Sequence, residues 1–139
     1  TIDNDINLLD RSFGFDTAMT EANRAIDVAY VEATCNANCI GLVKLTGAKN
    51  GFLALEATLA SRHVDICLLP EMEISMDKVL DHCEHLMRTK GSAVVVLAEG
   101  SRRTLLRGQD PEVDVGLWLR DQILARFKER EMPLTIKYI

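Results

Sequence analysis

At 139 residues the chain has the length of one ordinary domain, enough to bury roughly two-thirds of the surface that its unfolded form exposes. Its 21 acidic and 16 basic side chains leave a formal charge of −5. Arg102, Arg103 and Arg107 form a short basic cluster, but no basic stripe suited to a nucleic-acid groove is present, and no apolar run reaches the roughly 18 residues of a membrane span.

Taken in chain order, the sequence opens on Thr1-Ile2-Asp3-Asn4-Asp5, two carboxylates at i and i+2 on a short segment ahead of a helical pattern. Such a pair suits one proton acceptor and one carboxylate beside a metal ion, although D-x-D alone arises readily by chance. From Ser12 to about Thr34, Phe15, Ala18, Met19, Ala22, Ile26, Ala29, Tyr30 and Ala33 recur at three and four, which predicts a long amphipathic helix ended by Asn36-Ala37-Asn38. Residues 40–45 form a nearly continuous apolar run broken by Lys44, as in a parallel strand covered on both faces. The alternation then repeats: helix over about 51–62, strand over 65–69, helix over 76–89 with Ser75 as N-cap, strand over 92–98. A polar loop over 100–112, a helix over about 113–130 and a closing strand after Pro133 complete the pattern.

Alternating strands and helices predict an α/β fold, a Rossmann-like, mostly parallel sheet flanked by helices. Ligands of such sheets sit at the carboxyl ends of strands, where Asp3, residues 46–51, Pro70-Glu71 and Glu99-Gly100 all fall, so one crevice is expected to gather them. Cys35, Cys39, Cys67 and Cys83 are irregularly spaced and read as free thiols in a reducing compartment. His82, Cys83 and His85 share a helical stretch, but no second ligand pair has reason to meet them, and a structural reading is preferred to a metal site. His63 reads as a turn or surface residue.

The string T-I-D-N-D followed by Ser12-Phe13-Gly14-Phe15-Asp16-Thr17-Ala18 resembles the catalytic segment of the phosphofructokinase family. Residues 40–47 resemble that family's strand into its M-G-R loop, residues 57–65 its next helix and turn, and Pro70-Glu71 and Ala98-Glu99-Gly100 follow in family order. The resemblance covers nearly the whole chain and leans toward the plant and trypanosomatid type, as does Leu134-Thr135-Ile136-Lys137-Tyr138-Ile139.

The resemblance implies a partial phosphofructokinase domain over 1–139, with the donor-binding part upstream and a further part downstream. It implies phosphoryl transfer from ATP to the 1-hydroxyl of fructose 6-phosphate in glycolysis. Asp3 is then the base, Thr1 a hydrogen-bond donor to the transferring phosphoryl group, Asp5 a neighbour of Mg2+, and Asn4 the residue that fixes the loop. The sugar-binding set carried over is Thr1, Asp3, Thr46, Gly47, Ala48 and Glu99. Thr46 and Ala48 depart from the family's Met and Arg, which predicts weakened sugar binding, with Lys49 next door as a possible substitute cation. Ser101-Arg102-Arg103 stands where relatives carry small residues and Gln, making either a new anion site or a solvated loop. Cys39 occupies the position from which some relatives send an Arg across a subunit interface.

The resemblance further implies a homo-oligomer, dimer or tetramer, located in the cytoplasm, with a plastid equally compatible. Pyrophosphate is not excluded as donor, because the residues that set the donor lie upstream. A catalytically lapsed regulatory or assembly copy is the main alternative, and an unrelated nucleotide-binding α/β module a lesser one. The isolated piece is expected to be inactive, since a cut parallel sheet exposes edges and apolar faces.

Overall fold

A computed structural model describes residues 2–108 and 110–139. The elements run α1 (Phe15–Cys35), β1 (Cys39–Leu45), α2 (Phe52–Ser61), β2 (Ile66–Leu68), α3 (Met76–Thr89), β3 (Ser92–Ala98), a 3-10 turn (Glu99–Ser101), α4 (Arg102–Leu105), α5 (Val115–Glu129) and β4 (Thr135–Tyr138). The strands form one parallel sheet in the order β2-β3-β1-β4. The α/β fold expected from the alternation is therefore present.

Both faces of the central strands are apolar because both are covered. Ile40 and Leu42 of β1, with Val95 and Leu97 of β3, pack against Cys83 and Met87 of α3 and Leu119, Ile123 and Phe127 of α5. Their neighbours Val43, Leu45, Val94 and Val96 point the other way, to Ile26, Ala29 and Ala33 of α1 and Leu53, Ala54 and Ala57 of α2. Gly41 lets α1 lie directly on β1: a Cβ there would come within 2.6 Å of the Ala29 carbonyl oxygen.

Several boundaries differ from the pattern in the sequence. Helix α1 starts at Phe15, not Ser12, because the Ser12 amide and hydroxyl instead donate to Asn4 Oδ1 at 2.8 and 3.2 Å. Ser75 occupies the N-cap of α3 but makes no side-chain capping bond. Residues 100–112 are not all loop: the 3-10 turn and α4 occupy 99–105, drawn in by buried Ser101 and Leu106. Helix α5 begins two residues later than the apolar pattern suggests, because Asp114 caps it, accepting from the Gly116 and Leu117 amides at 2.8 and 2.9 Å.

All four cysteines are free. Burial pushes the Cys83 thiol up to about 12, consistent with a packing role beside the α5 core. His82 and His85 lie with ring centroids 6.2 Å apart, while Cys83 between them is buried. His63 lies in the turn between α2 and β2, half-buried and stacked on Tyr30 at 4.0 Å. No helix among the described residues is long and apolar enough to cross a membrane.

Candidate functional site at the carboxyl end of the sheet

Strand register places the site. Leu45 of β1 pairs with Ala98 of β3, and Leu68 of β2 pairs with Leu97, so the chains leaving all three strands emerge side by side. Thr46 and Glu99 are the next residues out of β1 and β3, both exposed. This convergence of residues 46–51, 70–71 and 99–100 matches the expectation from the sequence.

Hydrogen bonds lock the three loops together. The Gly100 amide donates to the Gly47 carbonyl at 2.9 Å, and a Cβ on Gly100 would lie 2.7 Å from the carbonyl oxygens of both Gly47 and Ala48. Gly47 itself has φ +138°, open to glycine and strained for any other residue. Arg103 Nη2 donates to the carbonyls of Ala48 and Lys49 at 2.5 and 2.9 Å. Buried Ser101 donates its hydroxyl to the Leu68 carbonyl at 2.9 Å, joining the same turn to β2. On the far side of the loop Glu71 Oε1 accepts from the Gly51 amide at 2.8 Å, which satisfies one of the amide donors left unpaired at the start of α2.

The string Ser101-Arg102-Arg103 is therefore not a solvated loop. Arg102 donates to the Val113 carbonyl at 2.5 Å and also to the Asp110 carbonyl, holding the segment before α5 against α4. Lys49, considered as a substitute cation, is exposed and makes no ion pair among the described residues.

Beneath Glu99 lies a group that the sequence reading did not single out. Lys44, the one polar residue in the β1 run, pairs with Asp114, whose Oδ1 also accepts from the Tyr138 hydroxyl at 2.9 Å. Partial burial alone would raise the Asp114 carboxyl, but the Lys44 ammonium, the Leu117 amide and the Tyr138 hydroxyl outweigh it and hold the carboxyl at about 2. The hydrogen bond to Asp114 raises Lys44 in turn, and burial raises the Tyr138 phenol. Lys44, Glu99, Arg102, Glu112 and Asp114 line a cavity of about 220 Å³. The polar break at Lys44 in an otherwise apolar strand was the available signal.

The described part of the acidic pentapeptide, residues 2–5, reaches the same end of the sheet through Ile2. Ile2 lines a cavity of about 270 Å³ with Lys44, Leu45 and Thr46. Asn4 has φ 54°, and its side chain accepts both bonds from Ser12, so it does fix the segment. Asp3 is half-buried and Asp5 exposed; Thr1 lies outside the described residues. Among the described residues no group of three His, Cys, Asp or Glu side chains is placed to enclose a metal ion.

A model of the family described as Phosphofructokinase matches residues 1–136. The chain is 44% identical to "ATP-dependent 6-phosphofructokinase 7" and to "ATP-dependent 6-phosphofructokinase 5, chloroplastic", both of Arabidopsis thaliana, over its whole length and over 32% and 28% of theirs. It is 38% identical to the ATP-dependent 6-phosphofructokinase of Trypanosoma cruzi, covering 31% of that protein. Among solved structures, the Pichia pastoris phosphofructokinase in the T-state superposes with TM-score 0.69 at 27% identity, over 99% of this chain and 15% of that one. A pyrophosphate-dependent phosphofructokinase from Nitrosospira multiformis has the same fold, with TM-score 0.66 at 19% identity over 99% of this chain and 35% of the other. The chain thus spans about a third of the length of the curated relatives it matches. The family model over residues 1–136 and the 44% identity to the plant proteins over the whole chain show that the chain belongs to the phosphofructokinase family.

Proposed function

We propose that residues 1–139 are the acceptor-binding and catalytic segment of a 6-phosphofructokinase, a partial phosphofructokinase domain whose parent transfers the terminal phosphoryl group of ATP to the 1-hydroxyl of fructose 6-phosphate. The observation that carries this reading is the register that puts Thr46 and Glu99 side by side at the carboxyl end of β1 and β3, with Ile2, next to Asp3, lining a cavity beside Thr46.

A sugar hydroxyl is a poor nucleophile at neutral pH, so a carboxylate must accept its proton as the new oxygen–phosphorus bond forms and the bond to the bridging oxygen of the donor breaks. Asp3 is that acceptor, held by the Asn4 turn; ADP departs, and fructose 1,6-bisphosphate is the product. Thr1 donates a hydrogen bond to the moving group, Glu99 accepts one from a sugar hydroxyl, and the backbone of Thr46, Gly47 and Ala48 forms the wall of the sugar pocket. Magnesium is held by one or two carboxylates completed by substrate phosphates and water, and the carboxylates of Asp3 and Asp5 are hard oxygen donors of that kind. Asp5 would hold the ion, which would supply neutralisation of phosphate charge. Assembly as a homodimer or homotetramer, and a cytoplasmic location with the plastid as alternative, belong to the same reading; one of the plant relatives is named chloroplastic.

Two observations keep other readings in view. Ala48 stands where the family has a sugar-binding Arg, which favours a catalytically lapsed, regulatory copy, and the pyrophosphate-dependent structure shares the fold. The deciding experiment assays the full-length protein for fructose 6-phosphate phosphorylation with ATP and with pyrophosphate, beside an Asp3→Asn variant. Turnover with ATP that the variant abolishes supports the reading. Turnover only with pyrophosphate reassigns the donor, and a folded protein without turnover on either points to the lapsed copy.

A further inference from the structure

Two of the places where this chain departs from its family's pattern touch each other. Ala48 has lost the guanidinium expected there, and Arg103, from the other departing string, lays its own guanidinium on the carbonyls of Ala48 and Lys49. We propose that Arg103 is a substrate-contacting residue that supplies, from α4, the cationic contact to the bound sugar phosphate that position 48 no longer provides; this rests on the phosphofructokinase reading of the site.

The neighbouring cations exclude themselves in turn. Lys44 is neutralised by Asp114, and Arg102 is turned to the carbonyls of Asp110 and Val113. Lys49 is an exposed, flexible point charge, whereas a guanidinium fork is rigid and matches oxygen pairs on phosphate and sugar. Arg103 uses only Nη2 on the loop, and its Nη1 and Nε have no protein partner among the described residues. Arg103 is exposed beside the 46–49 loop, on α4, which directly follows the 3-10 turn that begins at Glu99. The groups proposed to act on the substrate, Asp3, Asp5 and Glu99, are all acidic, so an anionic acceptor requires a cation among its contacts. The contact with Ala48 also fixes where that cation stands, because the Gly100 amide holds the adjacent Gly47 carbonyl.

The test uses the full-length protein with four forms: wild type, Arg103→Gln, Arg103→Lys and the double variant Ala48→Arg/Arg103→Gln. Fructose 6-phosphate binding is titrated by calorimetry, and KM values for sugar and donor are measured alongside melting temperatures. Gln can still donate to the loop carbonyls but carries no charge. Arg103→Gln is expected to weaken sugar-phosphate binding about tenfold to a hundredfold, as loss of one charge-assisted contact implies, with the donor KM unchanged. Arg103→Lys should fall between, and the double variant should recover most of the loss, which a merely structural staple would not allow. Sugar binding by Arg103→Gln within twofold of wild type, or a loss that Ala48→Arg fails to recover, overturns the proposal. Should Arg103→Gln not fold, Arg103→Lys with unaltered sugar binding overturns it alone. A wild type that binds the sugar phosphate without turnover sinks the kinase reading while the titration still decides Arg103; a wild type that binds none sinks both.

Discussion

The acidic segment and the loop cluster sit at the same end of the sheet but are held in opposite ways. Residues 2–5 belong to no helix or strand and are fixed chiefly by Asn4, whose side chain reaches only eight residues along the chain to Ser12. The loop cluster is held by contacts across much greater sequence distance: Gly100 on Gly47, Arg103 on Ala48 and Lys49, Ser101 on Leu68, Glu71 on Gly51. A locally held segment can be recognised as a string. A cluster held from afar tolerates changed side chains at Thr46 and Ala48, since backbone groups and glycines carry its geometry.

The sharpest way to break that contrast is to damage each region separately. Asp3→Asn leaves the Asn4–Ser12 bonds in place and removes the proton acceptor, so turnover should fall by roughly a hundred- to ten-thousand-fold with the melting temperature held. An unchanged turnover number would remove Asp3 from the mechanism. Gly100→Ala strikes the other region through packing. Its new methyl group would meet two backbone oxygens at 2.7 Å, so the loop must move, at about 1–3 kcal/mol of stability. Thermal denaturation should show that loss together with a raised KM for the sugar. A variant as stable as wild type, with the same KM, would mean the two loops are not rigidly coupled.

The same contrast decides what could be read beforehand. Strand and helix positions followed from period and from apolar runs; α3 and β3 run over the residues that the pattern marked, 76–89 and 92–98. The joining of the three loops also followed, because parallel strands deliver their exits to one end. The start of α1 did not, since Ser12 had a competing partner, Asn4, that helical periodicity ignores. Arg102 and Arg103 could be seen as unusual, but not their targets, which are carbonyls 8 and 55 residues away. Likewise Lys44 stood out as a polar break, and only β4 and the cap of α5 folding back revealed why: Tyr138 and Asp114 surround it. Backbone acceptors and distant capping residues leave no periodic trace, so this layer of the site was invisible in the string.

A smaller effect separates the outer brace of the cluster from its centre. Glu71→Ala removes the acceptor of the Gly51 amide but leaves every Arg103 and Gly100 bond intact. About 1 kcal/mol of stability should be lost, with little change in sugar KM. A large rise in KM instead would place Glu71 among the residues that shape the pocket, and the cluster would then be one cooperative unit.

The smallest effect is a pH dependence, and its sign follows from Asp114. In the folded chain its carboxyl stays ionised down to about 2, below the ordinary value of 3.8, so between those values the unfolded chain binds more protons than the folded one. The stabilisation from the Lys44–Asp114–Tyr138 group is therefore complete above about pH 5 and drains away as the pH falls toward 2. Asp114→Asn cannot titrate, so the stability gap between it and wild type, followed by urea unfolding, should narrow steadily through that acid window. Lys44 stays charged throughout, which leaves Asp114 as the titrating partner of the group. A gap that holds constant from pH 5 to pH 2 would mean that the folded carboxyl is not held below its ordinary value and that the ion pair beneath Glu99 contributes nothing of its own.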